Sequence, residues 1–428
     1  MRIAGKLAFE IEDEMYLSRF QELYGEDCAR KEMKRCVETI NQFEKYFGSA
    51  EIELYSVPGR IELAGAHTEH QNGKVLSAAV EEDLLAAAGF AEDQMVRVYS
   101  KDQELLEVNP LDLRCEPGDS GTYRGLLKGV LAACRSEGFH VEGFNVYVNR
   151  NLPCGKGLAP YAAFEILIGT IVSWFFNKGA LTSDQLASIG QKAQNAYFDE
   201  PSGMADQLTC AYGGVCWMDF ADALDPKTER ITLDLEKEKY FVCVTSVYPK
   251  LCLFDRTPKE SYTSIAKEMY SVASRLGHST LRNVTLEQLL LDPDFIRDYC
   301  GDRAYLRALY FVRENYRVDL EKKELKKEHF SSFLELFQQS GDSSYKYLQN
   351  AENGDGTCQE LAIALEVSET VLGTSGVCRV QGDGRYGSVV ALVKDEAVKR
   401  YVTAMKTLFG EENCITTKIR KYGGMRLL

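Results

Sequence analysis

The sequence predicts a two-domain α/β or α+β protein in which helices pack on mixed sheets. The chain has 428 residues, which is too many for one ordinary hydrophobic core. Segments with strand-like and helical patterns alternate along it, and strand character resumes near residues 215–225 after two helical segments. These observations predict an N-terminal domain over residues 1–218 and a C-terminal domain over residues 219–428.

The first half of the chain predicts the elements of the N-terminal domain in order. Residues 10–48 have apolar positions at helical spacing. Two short strands follow, in "IELYSVPGRIELAGAH" and "GKVLSAAV", and they are broken by Pro58-Gly59 and Asn72-Gly73. The segment "FNVYVNRNL" alternates like a strand, and residues 160–177 predict a buried helix. A second helix, "TSDQLASIGQKAQNAYF", opens at Thr182 or Ser183 as its cap.

The second half begins and ends with strands. "GGVCWMDF" and "KYFVCVTSV" are strand-like, and the chain is then mostly helical until "VCRVQGDGRYGSVVALV". That last segment predicts two strands that flank a glycine turn.

The composition excludes several classes of protein. Hydrophobic residues make up 45% and charged residues 27%, as in a soluble globular protein. The net charge of -14 argues against non-specific nucleic-acid binding. We find no run of the roughly 18 uncharged apolar residues that a membrane span needs, and the N-terminus turns acidic too early for a secretory signal. The 13 cysteines are odd in number and form no C-x-x-C pair, so we expect reduced thiols, no structural zinc and a cytoplasmic location.

The segment "PGRIELAGAHTEHQNG" is the first candidate site. It places His67 and His70 beside Arg60, Glu62 and Glu69. Polar side chains around a glycine-rich turn after a strand suit a small ligand with several hydroxyls, and a solvated turn is the alternative.

The segment "NLPCGKGLAPYAAFEILIG" runs from a glycine loop into an apolar helix. Gly155 and Gly157 before a helix start would aim free backbone N–H groups at an anion. Alternatively, these glycines only end a strand, and Pro160 is an ordinary first-turn helix residue.

Two further segments carry candidate residues. In "EPSGMADQLTCAYGG", Asp206 follows a loop with Gly203 and is either a general base or charge partner, or a capping or solvated aspartate. In "RVQGDGRYGS", the glycines at 382, 384 and 387 permit close backbone approach to a ligand or a tight hairpin.

These four segments, in this order, resemble the motifs of the galactokinase branch of the GHMP kinases. The likeness runs from about residue 40 to the C-terminus, including "IRKYGGMRL". The first segment resembles the sugar-binding signature, approximately PGR-x-N-L-I-G-E-H-T-D-Y-x-x-G, and the second resembles the phosphate loop, LP-x-G-x-GLSSSAA-x-E. The third is similar to CG-x-MDQ, which carries the catalytic aspartate, and the fourth to GGGFGG.

The resemblance implies a two-domain GHMP-kinase-like fold with the active site between the domains. It implies phosphate transfer from ATP, with Mg, to the anomeric hydroxyl of galactose or a related monosaccharide. Arg60 and Asp206 would be the catalytic pair: Asp206 would orient or deprotonate the hydroxyl, and Arg60 would stabilise charge around it. The implied sugar-binding residues are Arg60, Glu62, His67, Glu69, Gly203, Asp206 and Tyr262. The implied nucleotide-binding residues are Gly155, Lys156, Gly157, Leu158, Ala159 and Tyr161.

The sugar signature departs from the family pattern at three positions. Ala66 replaces the glutamate before the histidine and removes one carboxylate. Glu69 replaces an aspartate and moves the charge by one methylene, and His70 replaces the usual tyrosine.

The phosphate side departs further. Ala159, Pro160 and Tyr161 replace the serine run that holds the family's magnesium-binding serine, and Pro160 has no N–H to donate. Gln194 replaces the second metal ligand, a glutamate, and a neutral amide is a poor partner for a hard dication. Asp383 replaces a glycine, and a carboxylate about 4 Å from a phosphate costs on the order of 4 kcal/mol at an effective dielectric of 20.

Three hypotheses follow from these departures. The chain is a sugar 1-kinase with weakened catalysis, in which Lys156 or Arg385 replaces the charge of the metal unless both are ordinary surface residues. It is a catalytically inactive sugar- or partner-binding pseudokinase, or it is a kinase with a changed sugar substrate. We expect a small-molecule sugar, and ATP under the kinase hypotheses, as its ligands, and a monomer or homodimer.

Overall fold

Two sheets organise the chain in the computed structural model, which describes residues 1–101, 104–198, 202–247, 259–351, 359–382, 384 and 387–428. For residues 259–263 it describes the backbone alone. Within these residues the larger sheet has nine strands and is mixed, because β4 is parallel to β6 while its other pairs are antiparallel. Its strands are β1 (Arg2–Ile3), β2 (Glu51–Ala64), β3 (Lys74–Phe90), β4 (Val96–Ser100), β5 (Leu106–Val108), β6 (Phe144–Arg150), β7 (Val215–Asp219), β8 (Lys227–Ile231) and β13 (Met425–Arg426).

Strand β3 is the centre of the larger sheet. The strand order is β1-β2-β3-β6-β4-β5, and β3 is long enough to pair with β6 over residues 84–90 and with β7 over residues 74–78. Strand β8 pairs with β7, and β13 pairs with β2 beside β1. The smaller sheet is antiparallel, in the order β10-β11-β9-β12, with β9 (Tyr240–Ser246), β10 (Gly376–Val380), β11 (Ser388–Lys394) and β12 (Cys414–Thr417).

Helices cover both sheets. Those before β9 are α1 (Ala4–Glu12), α2 (Leu17–Tyr24), α3 (Glu26–Phe47), α4 (Tyr123–Ser136), α5 (Pro160–Asn177), α6 (Ser183–Ala196) and α7 (Ala205–Tyr212). Those after β9 are α8 (Lys259–Arg275), α9 (Leu286–Leu291), α10 (Pro293–Cys300), α11 (Asp302–Lys326), α12 (Phe330–Ser343), α13 (Glu360–Leu372) and α14 (Asp395–Phe409). Among the described helices, no segment is long and apolar enough to cross a membrane.

The predicted helix over residues 160–177 is confirmed as α5. Every residue from Ala162 to Ser173 is buried, so α5 packs against neighbours on all sides of these three turns. The predicted cap of the next helix is also confirmed at Thr182, whose hydroxyl accepts the Gln185 N–H while the Gln185 side chain accepts the Thr182 N–H.

The prediction of short strands around Pro58-Gly59 is wrong. Strand β2 has 14 residues and continues through this dipeptide with a register shift between Pro58 and Arg60, and β3 has 17 residues. Gly59 allows the segment around Leu152 and Leu158 to lie against β2. A Cβ on this residue would lie 2.5 Å from Leu152 Cδ1 and 2.7 Å from the Leu158 carbonyl oxygen. The glycine therefore lets the phosphate-loop segment contact the strand, whereas Asn72-Gly73 does separate β2 from β3.

Two other predictions concern helix and hairpin boundaries. The helical region expected over residues 10–48 begins earlier, at Ala4, and is divided into α1, α2 and α3. The expected hairpin near residue 384 is confirmed, because β10 and β11 pair antiparallel from Gly376↔Val393 to Val380↔Val389.

The expected domain boundary at residues 218/219 stays a prediction. Strand β8 and strand β13 both follow that boundary in sequence, yet both pair within the larger sheet. Residues 418–428 return to the first half, where the Leu427 N–H donates to the Leu54 carbonyl and the Leu54 N–H donates to the Leu428 carbonyl. This pairing favours a first domain that includes β8 and the C-terminal residues.

Candidate functional site

Four segments that are distant in the sequence line one cleft of about 1000 Å³, open solvent included. They are the end of β2 with its following turn, the glycine loop with the start of α5, the start of α7, and the residues after β10, and residues of β3 and α6 complete the lining. The structure thus brings together most of the predicted site residues, and the cleft lining includes Arg60, Glu62, His67, Glu69, Gly157, Ala159, Tyr161, Gln194, Gly203 and Asp206.

Arg60 and Asp206 form a bidentate ion pair inside this cleft. The Arg60 Nε donates to Asp206 Oδ1 at 2.6 Å, and Nη2 donates to Oδ2 at 2.7 Å. The Arg60 side chain is 13% exposed and that of Asp206 is 41% exposed, so the carboxylate faces the open side. Burial opposes the charge on Arg60, but the adjacent Asp206 carboxylate raises the pKa of this guanidinium above its usual range. Asp206 is therefore a charge partner, as one of the sequence alternatives stated.

The backbone of the glycine loop also holds Arg60. The Arg60 Nη1 donates to the Gly157 carbonyl at 2.6 Å, and the backbone N–H of Arg60 donates to the Leu158 carbonyl at 3.1 Å. Strand β2 and the loop before α5 therefore share two hydrogen bonds at the point where Arg60 projects into the cleft. Together with the bidentate pair to Asp206, these bonds fix the direction of the Arg60 guanidinium as well as its distance from the carboxylate.

Glu69 binds the start of α7. Its carboxylate accepts the Met204 N–H in a short hydrogen bond and the Ala205 N–H at 3.3 Å. A Cβ on Gly203 would lie 2.0 Å from Glu69 Oε2, so Glu69 reaches this place only because residue 203 has no side chain. Burial raises the pKa of Glu69 to about 7, although the two backbone N–H groups act in the opposite direction.

The two histidines lie together at the turn after β2. His67 has a positive φ of 57° and is 8% exposed. Its ring centroid lies 5.7 Å from that of His70, in an edge-to-face arrangement. Burial, with a smaller contribution from His67, lowers the pKa of His70 to about 3. His70 is therefore neutral at physiological pH and brings no positive charge to the cleft.

Glu62 is backed by a buried arginine that the sequence analysis missed. Arg379 is fully buried on β10, and its Nη2 lies 3.3 Å from Glu62 Oε1. The same guanidinium donates to the Ser340 hydroxyl at 2.8 Å and to the Leu63 carbonyl. The residue stands in the segment "RVQGDGRYGS", from which the sequence analysis considered the glycines, Asp383 and Arg385 but not Arg379. An arginine next to an apolar strand run was the signal that could have found it.

Ala66 lies away from the cleft lining. It is fully buried and packs in the apolar cluster that α8 and α11 form, and its carbonyl accepts the Tyr310 hydroxyl at 2.9 Å. The carboxylate that the family pattern has at this position is therefore replaced here by a contact with the C-terminal helices.

Two residues of the glycine loop form hydrogen bonds with β9 of the smaller sheet and with the segment before β12. The Ser246 hydroxyl donates to the Gly155 carbonyl at 3.1 Å, and Lys156 Nζ donates to the Glu412 carbonyl. Burial lowers the pKa of Lys156. Gly155, Lys156 and Leu158 are outside the cleft lining, so the structure places these three predicted residues beside the cleft and not in it.

Three residues at the start of α5 differ from the serines of the family pattern. Ala159, the residue before the helix, is left-handed with φ 55° and ψ 54°, and Pro160 is the first helical residue. The Tyr161 ring lines the cleft and packs against Tyr123 and Phe198, with ring centroids 5.3 and 4.7 Å apart. No hydroxyl group of a serine or threonine stands at these positions, and the aromatic contacts fix the helix start in their place.

The residues at the family's metal positions do not fit a magnesium ion. The Gln194 Oε1 already accepts the Gln207 side-chain N–H at 2.8 Å and the Ser202 hydroxyl at 3.0 Å. Hard dications prefer carboxylate oxygens, and Asp206 is engaged by Arg60. In the described part of the chain, no group of three or more His, Cys, Asp or Glu side chains has the arrangement of a metal site.

Three predicted residues cannot be placed. The backbone of Tyr262 belongs to α8, and the structure does not describe the side chain of this residue. Asp383 and Arg385 also lie outside the described residues, so their expected effects on a phosphate stay predictions.

The fold and the site together define a protein of the GHMP kinase class. The family model "GHMP kinases N terminal domain" matches residues 125–214, and the "Galactokinase galactose-binding signature" matches residues 41–90. Among solved structures, the mevalonate kinase of Methanococcus jannaschii has a TM-score of 0.59 at 17% identity, covering 87% of this chain and 99% of that one. The resemblance drawn from the sequence motifs is therefore confirmed for the fold.

Within this class the chain is similar to galactokinases over most of its length. It is 26% identical over 374 residues to the galactokinase of Lactococcus lactis subsp. lactis (strain IL1403), covering 86% of this chain and 90% of the relative. It is 28% identical over 385 residues to the galactokinase of Clostridium perfringens (strain ATCC 13124), covering 86% and 94%. The crystal structure of Lactococcus lactis galactokinase complexed with galactose has a TM-score of 0.77 at 22% identity and covers 90% of this chain and 98% of that one.

Proposed function

We propose that this chain binds galactose or a related monosaccharide in the cleft and has a weakened sugar 1-kinase activity. The observation that carries the proposal is the Arg60–Asp206 pair, which lies in the cleft beside the sugar signature. Each Asp206 oxygen accepts one N–H from Arg60 and keeps a lone pair for a sugar hydroxyl. Asp206 would orient that hydroxyl and take its proton, and Arg60 would stabilise the charge that develops.

The weakening is proposed from the nucleotide side of the same cleft. Phosphoryl transfer depends mainly on positioning and on neutralising charge. Here Pro160 offers no N–H at the start of α5, and the Gln194 oxygen accepts from two internal donors. These contacts support a site that has lost the groups for a triphosphate and its dication, and no step through magnesium follows from the residues present.

The second candidate is a catalytically inactive sugar-binding protein. It is favoured by the hydrogen bonds of Gln194, which occupy the one oxygen that this position offers to a metal. A kinase with a changed sugar would differ from both candidates in its response to a panel of sugars that includes galactose and N-acetylgalactosamine.

One set of assays tests these candidates. Purified protein is incubated with galactose and Mg-ATP, and ADP release is compared with that of Asp206→Ala, while calorimetry measures galactose binding. A weakened kinase releases ADP above the rate of Asp206→Ala. Equal rates for the two proteins contradict the kinase proposal, and the absence of galactose binding contradicts the sugar site.

A restored variant tests the cause of the weakening. Replacing Ala159, Pro160 and Tyr161 by serine and Gln194 by glutamate returns the family's pattern at the loop and metal positions. A carboxylate at 194 keeps acceptors for Gln207 and Ser202. We expect ADP release to rise and Mg-ATP at 100-fold above its Kd to add about 2.7 kcal/mol of stability. A restored variant that still ignores Mg-ATP would show that the impairment lies elsewhere.

A further inference from the structure

The side chain of Gln381 joins the sugar signature to the glycine loop. Its Oε1 accepts the Glu62 backbone N–H at 3.2 Å, and its Nε2 donates to the Gly157 carbonyl at 3.0 Å. Gln381 follows β10, 319 residues from Glu62 in the sequence. One amide group thus contacts two of the segments that line the cleft and joins both to the segment that follows β10.

The position of this amide is fixed from both sides. The Gln381 N–H donates to the Ser388 carbonyl at 2.8 Å, and the residue is 3% exposed. On the other side, a Cβ on Gly157 would lie 3.0 Å from Gln381 Cγ, so the loop backbone packs directly on the side chain. Only one orientation of the amide gives an acceptor to the Glu62 N–H and a donor to the Gly157 carbonyl.

The contact with Gly157 reaches the charge pair. A carbonyl oxygen has two lone pairs, and that of Gly157 accepts both Gln381 Nε2 and Arg60 Nη1, the latter at 2.6 Å. Two donors fix the direction of this carbonyl, which in turn holds the guanidinium edge of Arg60 opposite to the edge that pairs with Asp206.

We propose that Gln381 is a positioning residue of the sugar site, which sets the orientation of the Arg60–Asp206 pair through the Gly157 carbonyl. This inference rests on the proposed sugar binding, and it adds a residue that contacts neither member of the pair. The side chain acts on the site across the boundary between the two sheets, because β10 belongs to the smaller sheet and Arg60 to the larger.

Two substitutions separate the two contacts of the amide. Gln381→Leu removes both hydrogen bonds, whereas Gln381→Glu keeps an acceptor for the Glu62 N–H and turns an oxygen toward the Gly157 carbonyl. Gln338→Leu is the matched control, because Gln338 Oε1 also accepts a backbone N–H from β10, that of Cys378 at 3.1 Å, outside the cleft.

Two measurements are made on the wild type and the three variants. Calorimetry measures galactose binding, and hydrogen exchange without ligand measures the protection of the Glu62 backbone N–H. We expect both Gln381 variants to bind galactose about tenfold more weakly, as the loss of one hydrogen bond implies, while Gln338→Leu binds like the wild type. Exchange at Glu62 should become faster in Gln381→Leu and stay slow in Gln381→Glu.

Each result decides a separate question. Wild-type galactose affinity in both Gln381 variants, or an equal loss in Gln338→Leu, overturns the inference. If the wild-type chain does not bind galactose, the proposed function fails, and the exchange at Glu62 still tests the Gln381 contacts. Unchanged Glu62 exchange in Gln381→Leu then contradicts them.

Discussion

At the scale of the residue, Glu69 shows how one methylene changes a site. The family pattern has an aspartate here, and the longer side chain reaches the backbone N–H groups of Met204 and Ala205. A carboxylate that is buried with only backbone donors keeps its proton at higher pH than a solvated one, which is why burial raises the pKa of Glu69 to about 7.

This pKa predicts a pH dependence of stability. Between its ordinary pKa of 4.5 and about 7, the folded chain holds the Glu69 proton and the unfolded chain has released it. The stabilisation is therefore complete below pH 4.5 and is lost as the pH rises through 7. We expect the free energy of unfolding of Glu69→Gln to fall less than that of the wild type between pH 5 and 8, by about 2 kcal/mol.

Urea unfolding at four pH values across this range measures the effect. Burial also raises the pKa of Glu82 to about 7, so the wild-type slope alone is insufficient and the difference between wild type and variant is the quantity to use. The exposed Glu92 provides the control, and Glu92→Gln should follow the wild-type curve. Parallel curves for the wild type and Glu69→Gln would contradict the assignment.

Other residues of the site could be predicted from the sequence only in part. Arg60 and Asp206 stand in motifs whose residue types are typical of catalytic sites, and the structure brings the two side chains together. The partners of Gln381 and Arg379 could not be predicted, because they lie 319 and 317 residues away in the sequence. Local spacing has no information about which distant backbone groups an amide or a buried guanidinium will meet.

At the scale of the element, the start of α7 depends on a glycine. Gly203 precedes the helix and leaves the space that the Glu69 carboxylate fills. Because Glu69 accepts two N–H groups at this helix terminus, it supplies the capping that no side chain of α7 itself provides.

Gly203→Ala tests this arrangement. The new Cβ displaces the Glu69 carboxylate, and we expect a loss of about 1–2 kcal/mol in the free energy of unfolding. Glu69→Asp shortens the side chain, so the double variant should lose less than the sum of the two single variants, by about 1 kcal/mol.

The control for this cycle is Gly118→Ala, because a Cβ on Gly118 meets nothing within 4 Å. It should leave stability within about 0.5 kcal/mol of the wild type. Strict additivity of Gly203→Ala and Glu69→Asp would show that the two residues do not share this space.

Elements differed in how well the sequence predicted them. The bounds of α5 followed from an apolar run, and the cap of α6 followed from the hydroxyl residues Thr182 and Ser183 before a helical pattern. The lengths of β2 and β3 did not follow, because Pro58-Gly59 indicates a break locally. Their continuity comes from pairing along the neighbouring strand, which is a non-local interaction.

At the scale of the whole molecule, residues 418–428 connect the end of the described chain to the larger sheet. Arg420 is the centre of this connection, and its side chain is 2% exposed. Its Nη1 donates to the Ser56 hydroxyl at 2.7 Å and lies 3.1 Å from Asp83 Oδ2. Although burial acts in the opposite direction, Arg35 and Arg420 hold the pKa of Asp83 below its usual value.

Arg420→Ala should therefore destabilise the whole protein. It removes one of two cations from a fully buried carboxylate, and breaking a buried pair costs about 3–5 kcal/mol. Lys421→Ala, one residue further and exposed, is the matched control and should change stability by less than about 0.5 kcal/mol. Chemical denaturation measures both, and a similar small effect for the two variants would exclude Arg420 as a connection between the halves.

The pairing of β13 with β2 also means that the larger sheet is completed late during translation of the chain. The edge of β2 near Tyr55 and Ser56 has Met425 and Arg426 as its partners, so it waits for about 370 more residues to be translated. At 5–20 residues per second this takes roughly 20 to 70 s, during which a strand edge remains open to pairing with other chains. The nascent chain is thus open to aggregation at this edge of β2 until residues 425 and 426 leave the ribosome.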